Sequence, residues 1–147
     1  MTHAELVARA ARWLKAQGYT TIVAEKYIAT DEEPDAIGWK GQGWSMLVEV
    51  KTSRADFRRD AAKPFRKFPA LGMGLRRVFM AMPGVIPQDE LPAGWGLVET
   101  TGRSCRIVVK PGQFTERNLR AELSLVLARS RRLDRAAKAA AVGSPDA

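Results

Sequence analysis

The sequence has little of two residues that often carry chemistry: one cysteine, Cys105, and one histidine, His3, among 147 residues. A single cysteine excludes an intrachain disulfide, so we expect the reducing environment of the cytoplasm. A single histidine close to the N-terminus argues against zinc hydrolases, histidine-dependent nucleases and Ser-His-Asp enzymes. The chemistry, if there is any, must therefore be carried by other side chains.

Long apolar segments are also missing. No run approaches the roughly 18 apolar residues that a bilayer-spanning helix needs, so we expect no membrane partner. The first ten residues, MTHAELVARA, lack the basic and apolar regions of a secretion signal. No G-x-x-x-x-G-K-[ST] motif occurs, which argues against an ATP-driven motor.

Positive charge is abundant and unevenly distributed. The formal net charge is +8. Residues 51–77 carry nine Lys or Arg against two acids, and residues 103–147 carry ten against four. Residues 20–35 reverse this balance, with five acids and one lysine. Basic regions beside a small acidic one are typical of a protein that brings a polyanion such as DNA to a metal ion, although basic composition alone has many other causes.

The pattern of apolar and turn residues predicts an α/β protein in a single domain spanning residues 1–142. Thr2 and Glu5 form a capping box that opens the first helix, and Ser53 and Asp56 form a second one. Glycine-rich turns, β-branched runs and helical periodicity indicate the remaining elements. The predicted order is a helix to about residue 17, strands at 19–29, 35–39 and 44–52, a helix from 53, strands at 78–82, 96–100 and 105–110, and a helix at 115–141.

This order, α-β-β-β-α-β followed by a hairpin and a long helix, indicates a mixed sheet flanked by helices. Two apolar stripes predict which faces of the helices are buried. The first is Phe57, Ala61, Phe65 and Phe68; the second is Leu119, Leu123, Val126, Leu127 and Leu133. Residues 143–147 are expected to be a disordered tail.

The hairpin between the second and third predicted strands generates the main functional hypothesis. If its loop is Gly41-Gln42-Gly43, paired residue numbers sum to 84, and Asp35 lies opposite Glu49. Like charges at opposed positions destabilise a sheet unless something neutralises them. Magnesium is typically held by one or two carboxylates together with water and phosphate oxygens, so a divalent ion would resolve the repulsion.

Lys51 belongs to the same constellation, because residues two apart on a strand point to the same face. A metal ion would polarise a phosphate and activate a water molecule, and the Lys51 ammonium would stabilise the developing charge. The backbone carbonyl of Val50 is a further candidate metal ligand. The alternative is an ordinary surface ion pair between Glu49 and Lys51.

Glu33-Pro34-Asp35 followed by Glu49-Val50-Lys51 resembles the signature of the PD-(D/E)xK nuclease superfamily. The stretches VEVKTSRADFRRD and VFMAMP, with the segment from Leu91 to Val98, are similar to the MmcB-related DNA repair proteins within that superfamily. The resemblance covers roughly residues 18–100.

The resemblance implies a restriction-endonuclease-like core and a Mg²⁺- or Mn²⁺-dependent endodeoxyribonuclease acting in DNA repair or processing, in a bacterial or phage-infected cell. It implies that Asp35 and Glu49 are metal ligands and that Lys51 is the catalytic lysine. Glu25 would match an additional acidic position that helps to bind metal. Many nucleases of this fold form dimers, so a homodimer is a further expectation.

The basic segment after the third strand is a candidate DNA-binding surface. Its cations are Arg54, Arg58, Arg59, Lys63, Arg66 and Lys67. They are suited to contacting backbone phosphates, which position a protein on DNA without reading sequence. The alternative is a solvated helix face on which Asp56 and Asp60 pair with neighbouring arginines.

Two rival functions stay open. One is a catalytically inactive nuclease-fold module that binds DNA or a repair partner. The other is a basic interaction protein without a site.

Overall fold

A computed structural model describes residues 1–24 and 31–143 of the chain. One six-stranded sheet has its strands in sequence order, β1-β2-β3-β4-β5-β6. The strands are β1 Thr21–Val23, β2 Ala36–Lys40, β3 Trp44–Val50, β4 Arg76–Ala81, β5 Gly96–Thr100 and β6 Cys105–Val109. The helices are α1 His3–Ala16, α2 Arg54–Asp60, α3 Pro64–Lys67 and α4 Leu119–Val142.

The sheet is mixed, as the sequence predicts. β3, β4 and β5 run parallel to one another, while β1, β2 and β6 pair antiparallel with their neighbours. The connection from β3 to β4 carries α2 and α3, in keeping with the need of parallel strands for a long crossover. The chain is thus an α/β protein whose β5–β6 hairpin extends the sheet beyond β4.

The β2–β3 hairpin has the predicted register. Ala36 pairs with Val48 and Lys40 pairs with Trp44, so paired numbers sum to 84. Gly41 and Gly43 have φ values of 57° and 86°, which glycine adopts without steric cost, and they close the three-residue loop. This register places Asp35, one residue before β2, next to Glu49.

Each face of the sheet carries its own apolar cluster. On one face, α1 buries Leu6, Ala10, Trp13 and Leu14 against the strands. The opposite face is covered by α2 and α4 and gathers Leu47, Phe57, Phe79, Trp95 and Leu125. Because side chains alternate along β3, Val48 and Val50 face α1, whereas Leu47 and Glu49 face the other cluster.

The start of α1 follows the predicted capping box. The Glu5 backbone N–H donates to the Thr2 hydroxyl at 3.1 Å, and the Thr2 N–H donates to the Glu5 carboxylate at 2.7 Å. Glu5 is therefore occupied in capping.

β1 is described only from Thr21 to Val23, and the predicted metal ligand Glu25 lies outside the described residues. Of the predicted tail at 143–147, Gly143 caps the end of α4, and residues 144–147 lie outside the described residues.

The predicted apolar stripe on the second helical segment is wrong. α2 ends at Asp60, and a separate short helix begins at Pro64, where proline's fixed φ is favourable. Phe57 is buried, but Ala61 and Phe68 are exposed and Phe65 is half-buried. Buried charged residues, which a stripe of apolar side chains does not include, take the inner positions instead.

The predicted stripe on α4 is also wrong. The helix begins at Leu119, where Asn118 caps it by accepting a hydrogen bond from the Ala121 N–H at 3.0 Å. The inward face carries Ala121, Glu122 and Leu125. Glu122 anchors this face: it accepts a hydrogen bond from the Trp39 indole at 3.0 Å. Four of the five predicted residues are exposed, namely Leu119, Leu123, Leu127 and Leu133.

No helix within residues 1–24 and 31–143 has the length and apolar character needed to cross a bilayer.

The two faces of α4 give a matched pair of substitutions. Leu125→Ala removes a side chain that is 2% exposed, and Leu123→Ala removes one that is 58% exposed. We expect Leu125→Ala to lower the free energy of unfolding by about 2–5 kcal/mol. Leu123→Ala is expected to change it by no more than about 0.5 kcal/mol. Urea denaturation measures both, and equal losses would contradict this placement of α4.

Candidate active site

A polar cavity of about 430 Å³ opens where β3 ends. Its lining includes Asp35, Glu49 and Lys51, the three residues that the sequence singles out, and also Val50 and His3. The hairpin register brings the two carboxylates together, and the alternation along β3 puts Glu49 and Lys51 on one side. The structure therefore gathers the predicted constellation in a single cavity.

Asp35 is held by one hydrogen bond and one close side-chain contact. The Val50 backbone N–H donates to its Oδ2 at 2.9 Å, which ties the start of β2 to the end of β3. His3 Nε2 lies 3.1 Å from its Oδ1. The His3 side chain is half exposed, whereas that of Asp35 is mostly covered. Asp35 is thus held at the cavity wall by a hydrogen bond from the backbone and by a contact with the half-exposed His3 side chain.

Glu49 is a buried carboxylate, 4% exposed. Burial, together with the neighbouring charge of Asp35, raises its pKa to about 8 from an ordinary 4.5. The Arg66 guanidinium acts in the opposite direction but does not overcome these two effects. A cation in the cavity would offset the repulsion between Asp35 and Glu49, and it would therefore favour the ionised form of Glu49.

Lys51 is also buried and does not pair with Glu49 in the way that a surface ion pair would. Its Nζ donates to Asp60 Oδ1 at 3.0 Å, and both side chains are at most 5% exposed. The surface-pair interpretation of Glu49 and Lys51 is therefore wrong. An ammonium group has three donors, so one bond to Asp60 leaves others for the cavity.

The Arg66 guanidinium holds three carboxylates from separate parts of the chain. Its Nε donates to Asp60 at 2.6 Å, and its Nη1 donates to Glu32 at 2.7 Å. Nη2 lies 3.3 Å from Glu49 Oε1 and is buried, but it has no hydrogen-bond partner among the described residues. The Trp95 ring lies beneath the guanidinium, 4.5 Å from its central carbon.

Arg66 is consequently not part of the exposed surface that the sequence predicts to bind DNA. Its side chain is 1% exposed, so it has no access to an external phosphate. The physical reason is that three buried carboxylates need a compensating cation, and the planar guanidinium serves several acceptors at once. The prediction that Arg66 contacts a DNA phosphate is therefore wrong.

The other predicted phosphate-binding cations have different surroundings. Arg59 pairs with Asp56 at 3.5 Å, as the alternative of a solvated face predicted. Arg58 pairs instead with Glu90 at 3.2 Å, a contact that the alternative did not include. Arg54 and Lys67 are exposed. Lys63 lines the cavity and lies 2.9 Å from Asp60.

Asp60 holds the cations together. Burial alone would raise its pKa, but Arg66, Lys63 and Lys51 outweigh that effect and lower the pKa below its ordinary value. Asp60 thus stays ionised, and the Lys51 ammonium keeps a charged partner. The interpretation of Asp60 as part of a solvated helix face is wrong.

Sequence reasoning missed three residues of this region: His3, Glu32 and Asp60. The signal for Asp60 was present, because it stands three residues after Phe57 and shares that buried helix face. Glu32 was visible only as part of an acidic run. Nothing in the local pattern distinguished His3, which reaches Asp35 through the placement of α1.

The donor set fits a magnesium or manganese ion better than zinc. Within residues 1–24 and 31–143, no three or more His, Cys, Asp or Glu side chains are grouped so as to enclose a metal. A structural zinc site takes four protein ligands, and a catalytic one takes three. Magnesium takes one or two carboxylates and keeps several waters. Asp35 and Glu49 supply two carboxylates at the wall of the cavity, and the cavity has room for the waters.

Comparison with known proteins adds a structural relative. No protein-family model matches the chain, and no curated protein matches it. The chain is similar to a solved structure described as "SPO1766 protein of unknown function from Silicibacter pomeroyi", with a TM-score of 0.67 and 26% sequence identity. The match covers 90% of each chain, so the two share their fold over nearly their whole length.

The raised pKa of Glu49 predicts a particular pH dependence. Between pH 4.5 and about 8 the unfolded chain has released this proton while the folded chain retains it. The contribution of Glu49 to the free energy of unfolding therefore falls as pH rises through this window. Denaturation with chelator present is expected to show this fall in the unaltered protein and a flatter profile in Glu49→Gln. Parallel profiles would contradict the assignment.

The Arg66 network predicts a large loss of stability on removing its cation. Arg66→Met leaves three carboxylates without their shared partner, and we expect a loss of about 3–5 kcal/mol in the free energy of unfolding. Arg58→Met breaks the exposed pair with Glu90 and is expected to lose less than about 1 kcal/mol. Chemical denaturation compares the two, and similar losses would show that the network is not structural.

Proposed function

We propose that the protein is a metal-dependent DNA nuclease with a restriction-endonuclease-like core, acting in DNA repair or processing in the cytoplasm. The observation that carries the proposal is the single cavity lined by Asp35, Glu49 and Lys51. A structural protein gains little from burying two acids and a lysine beside one another, because desolvation opposes it. Phosphodiester hydrolysis uses each of these groups.

The two acids are the proposed ligands of Mg²⁺ or Mn²⁺, with the Val50 carbonyl as a further candidate. When bound, the metal polarises the phosphate and lowers the pKa of water. Asp35 is suited to this role because the Val50 N–H fixes one of its oxygens, while the exposed His3 contacts the other. Glu49 faces Asp35 across the hairpin register and presents the second carboxylate.

Lys51 is the proposed catalytic lysine. Asp60 holds its Nζ at 3.0 Å, and the remaining donors of the ammonium are suited to orienting a water molecule and stabilising charge on the phosphate. Asp60 is a positioning residue in this scheme, since it acts through Lys51. Burial makes the fixed charge of Lys51 more effective than it would be in water.

DNA is proposed to approach over the exposed cations of α2 and α3. Arg54, Arg58, Arg59 and Lys67 are exposed, and Lys63 extends this surface to the cavity. Phosphate contacts of this kind position the backbone and carry no base information. The acidic partners of Arg58 and Arg59 each have a side chain that is 36% exposed, so DNA phosphates compete with them at little cost.

A second candidate is a nuclease-fold module that binds DNA or a repair partner without cutting it. The observation that favours it is the contact between Arg66 and Glu49 at 3.3 Å, which already neutralises part of the proposed metal site. A site that is balanced by its own cation has less need of a divalent ion. Cleavage assays separate the two candidates.

The nuclease proposal is tested with supercoiled, linear, single-stranded and branched DNA, each with Mg²⁺, Mn²⁺ or chelator. We expect metal-dependent cleavage that Lys51→Met reduces by about 10²–10³-fold, the usual effect of losing one charge-stabilising donor. Glu49→Gln is expected to abolish the response to metal. Lys15→Met is the control, because Lys15 lies in the last turn of α1, about 18 Å along the helix from His3.

Binding of DNA without cleavage under any of these conditions would favour the module that binds only. Equal cleavage by Lys51→Met and Lys15→Met would remove Lys51 from the mechanism.

A further inference from the structure

A second cleft adjoins the acidic cavity. It has a volume of about 530 Å³, within the range of small-molecule sites, and the two spaces share Asp31 and Phe65 in their linings. Pro64, Leu71 and Ala121 supply further apolar wall, and the polar lining consists of Asp31, Glu32, Asn118, Arg120 and Ser124. A ligand in this cleft therefore has direct access to the proposed site of hydrolysis.

The Phe65 ring lines both spaces and lies beside two cations. The guanidinium carbon of Arg66 lies 5.0 Å from its centroid, and Lys63 Nζ lies 5.8 Å from it. Arg66 is itself fixed by Glu32 and Asp60. An aromatic ring placed in this way is a preformed stacking platform, and it does not lose much conformational freedom when a ligand arrives.

The cleft also has a cation placed to meet a backbone phosphate. Arg120 stands in the first turn of α4, is exposed and lines the cleft. Sites for single-stranded nucleic acid combine such cations with aromatic rings on which bases stack. The apolar wall, the aromatic ring and Arg120 together match that description.

We propose that this cleft takes an unpaired nucleobase, so that the substrate is single-stranded DNA or an unpaired strand within a larger DNA. The inference rests on the proposed function, because the phosphate of the bound nucleotide is the one that reaches Asp35, Glu49 and Lys51. A base inside a duplex is stacked and paired and has no access to a cleft of this kind. Stacking on Phe65 accepts any base, so little sequence preference is expected.

The test measures binding by fluorescence anisotropy in the Glu49→Gln background, without cleavage. The probes are a labelled single strand longer than the roughly 4–16 nucleotides that such a site covers, and the duplex of the same sequence. We expect the single strand to bind at least about tenfold more tightly. Adding Phe65→Leu, which keeps apolar bulk but removes the ring, is expected to weaken single-strand binding roughly 5- to 150-fold, the range for one stacked base.

Trp44→Leu is the matched control. Trp44 is an aromatic residue that is 55% exposed and lines neither the cleft nor the acidic cavity. Its replacement is expected to leave single-strand binding unchanged. Equal effects of Phe65→Leu and Trp44→Leu, or tighter binding of the duplex, would overturn the inference. Circular dichroism of each variant excludes unfolding as the cause.

The outcome also separates this inference from the nuclease proposal. Metal-dependent cleavage of duplex by the unaltered protein, with no preference for single strands in the binding assay, leaves the nuclease standing and overturns the base cleft. Phe65-dependent binding of single strands without cleavage under any metal supports the cleft and overturns the nuclease. Absence of binding to either DNA overturns the cleft.

Discussion

The Arg66 guanidinium holds carboxylates from three separate parts of the chain, and all four side chains are at most 5% exposed. Glu32 precedes β2, Glu49 is the penultimate residue of β3, and Asp60 ends α2, so one side chain joins the hairpin to the crossover. Asp60 in turn fixes Lys51. The geometry of the candidate active site therefore depends on this buried ionic network as much as on the sheet. Forming such a network costs free energy because its charges lose their hydration, and removing one partner destabilises the fold. The network therefore limits which substitutions both the fold and the candidate site tolerate.

The parts of the site that local rules determine were predictable. Two glycines and the strand pattern set the register of the β2–β3 hairpin, and this register places Asp35 beside Glu49. The period of two along β3 places Lys51 with them. The mixed α/β sheet followed from the same patterns, as did the capping box at Thr2. In each case the information lies within a few residues of the feature.

The parts that depend on tertiary contacts were not predictable. Apolar periodicity assigns the inward face of a helix to its leucines and phenylalanines, but α4 turns Leu125 and Glu122 inward because Trp39 pairs with that carboxylate. Asp60 and Arg66 take inner positions because each compensates the charge of the other. His3 meets Asp35 only because α1 packs across the sheet. Charge compensation over long sequence separations leaves no periodic trace.

The central claim is that Asp35 and Glu49 together bind one divalent cation. The most direct measurement is the anomalous scattering of crystals soaked in Mn²⁺. The account predicts a manganese peak in the acidic cavity, within about 2.0–2.3 Å of an oxygen of each of these carboxylates. Such a peak would also show Glu49 ionised although it stays buried. A cavity without manganese at saturating concentration, or manganese bound only elsewhere, would contradict the account.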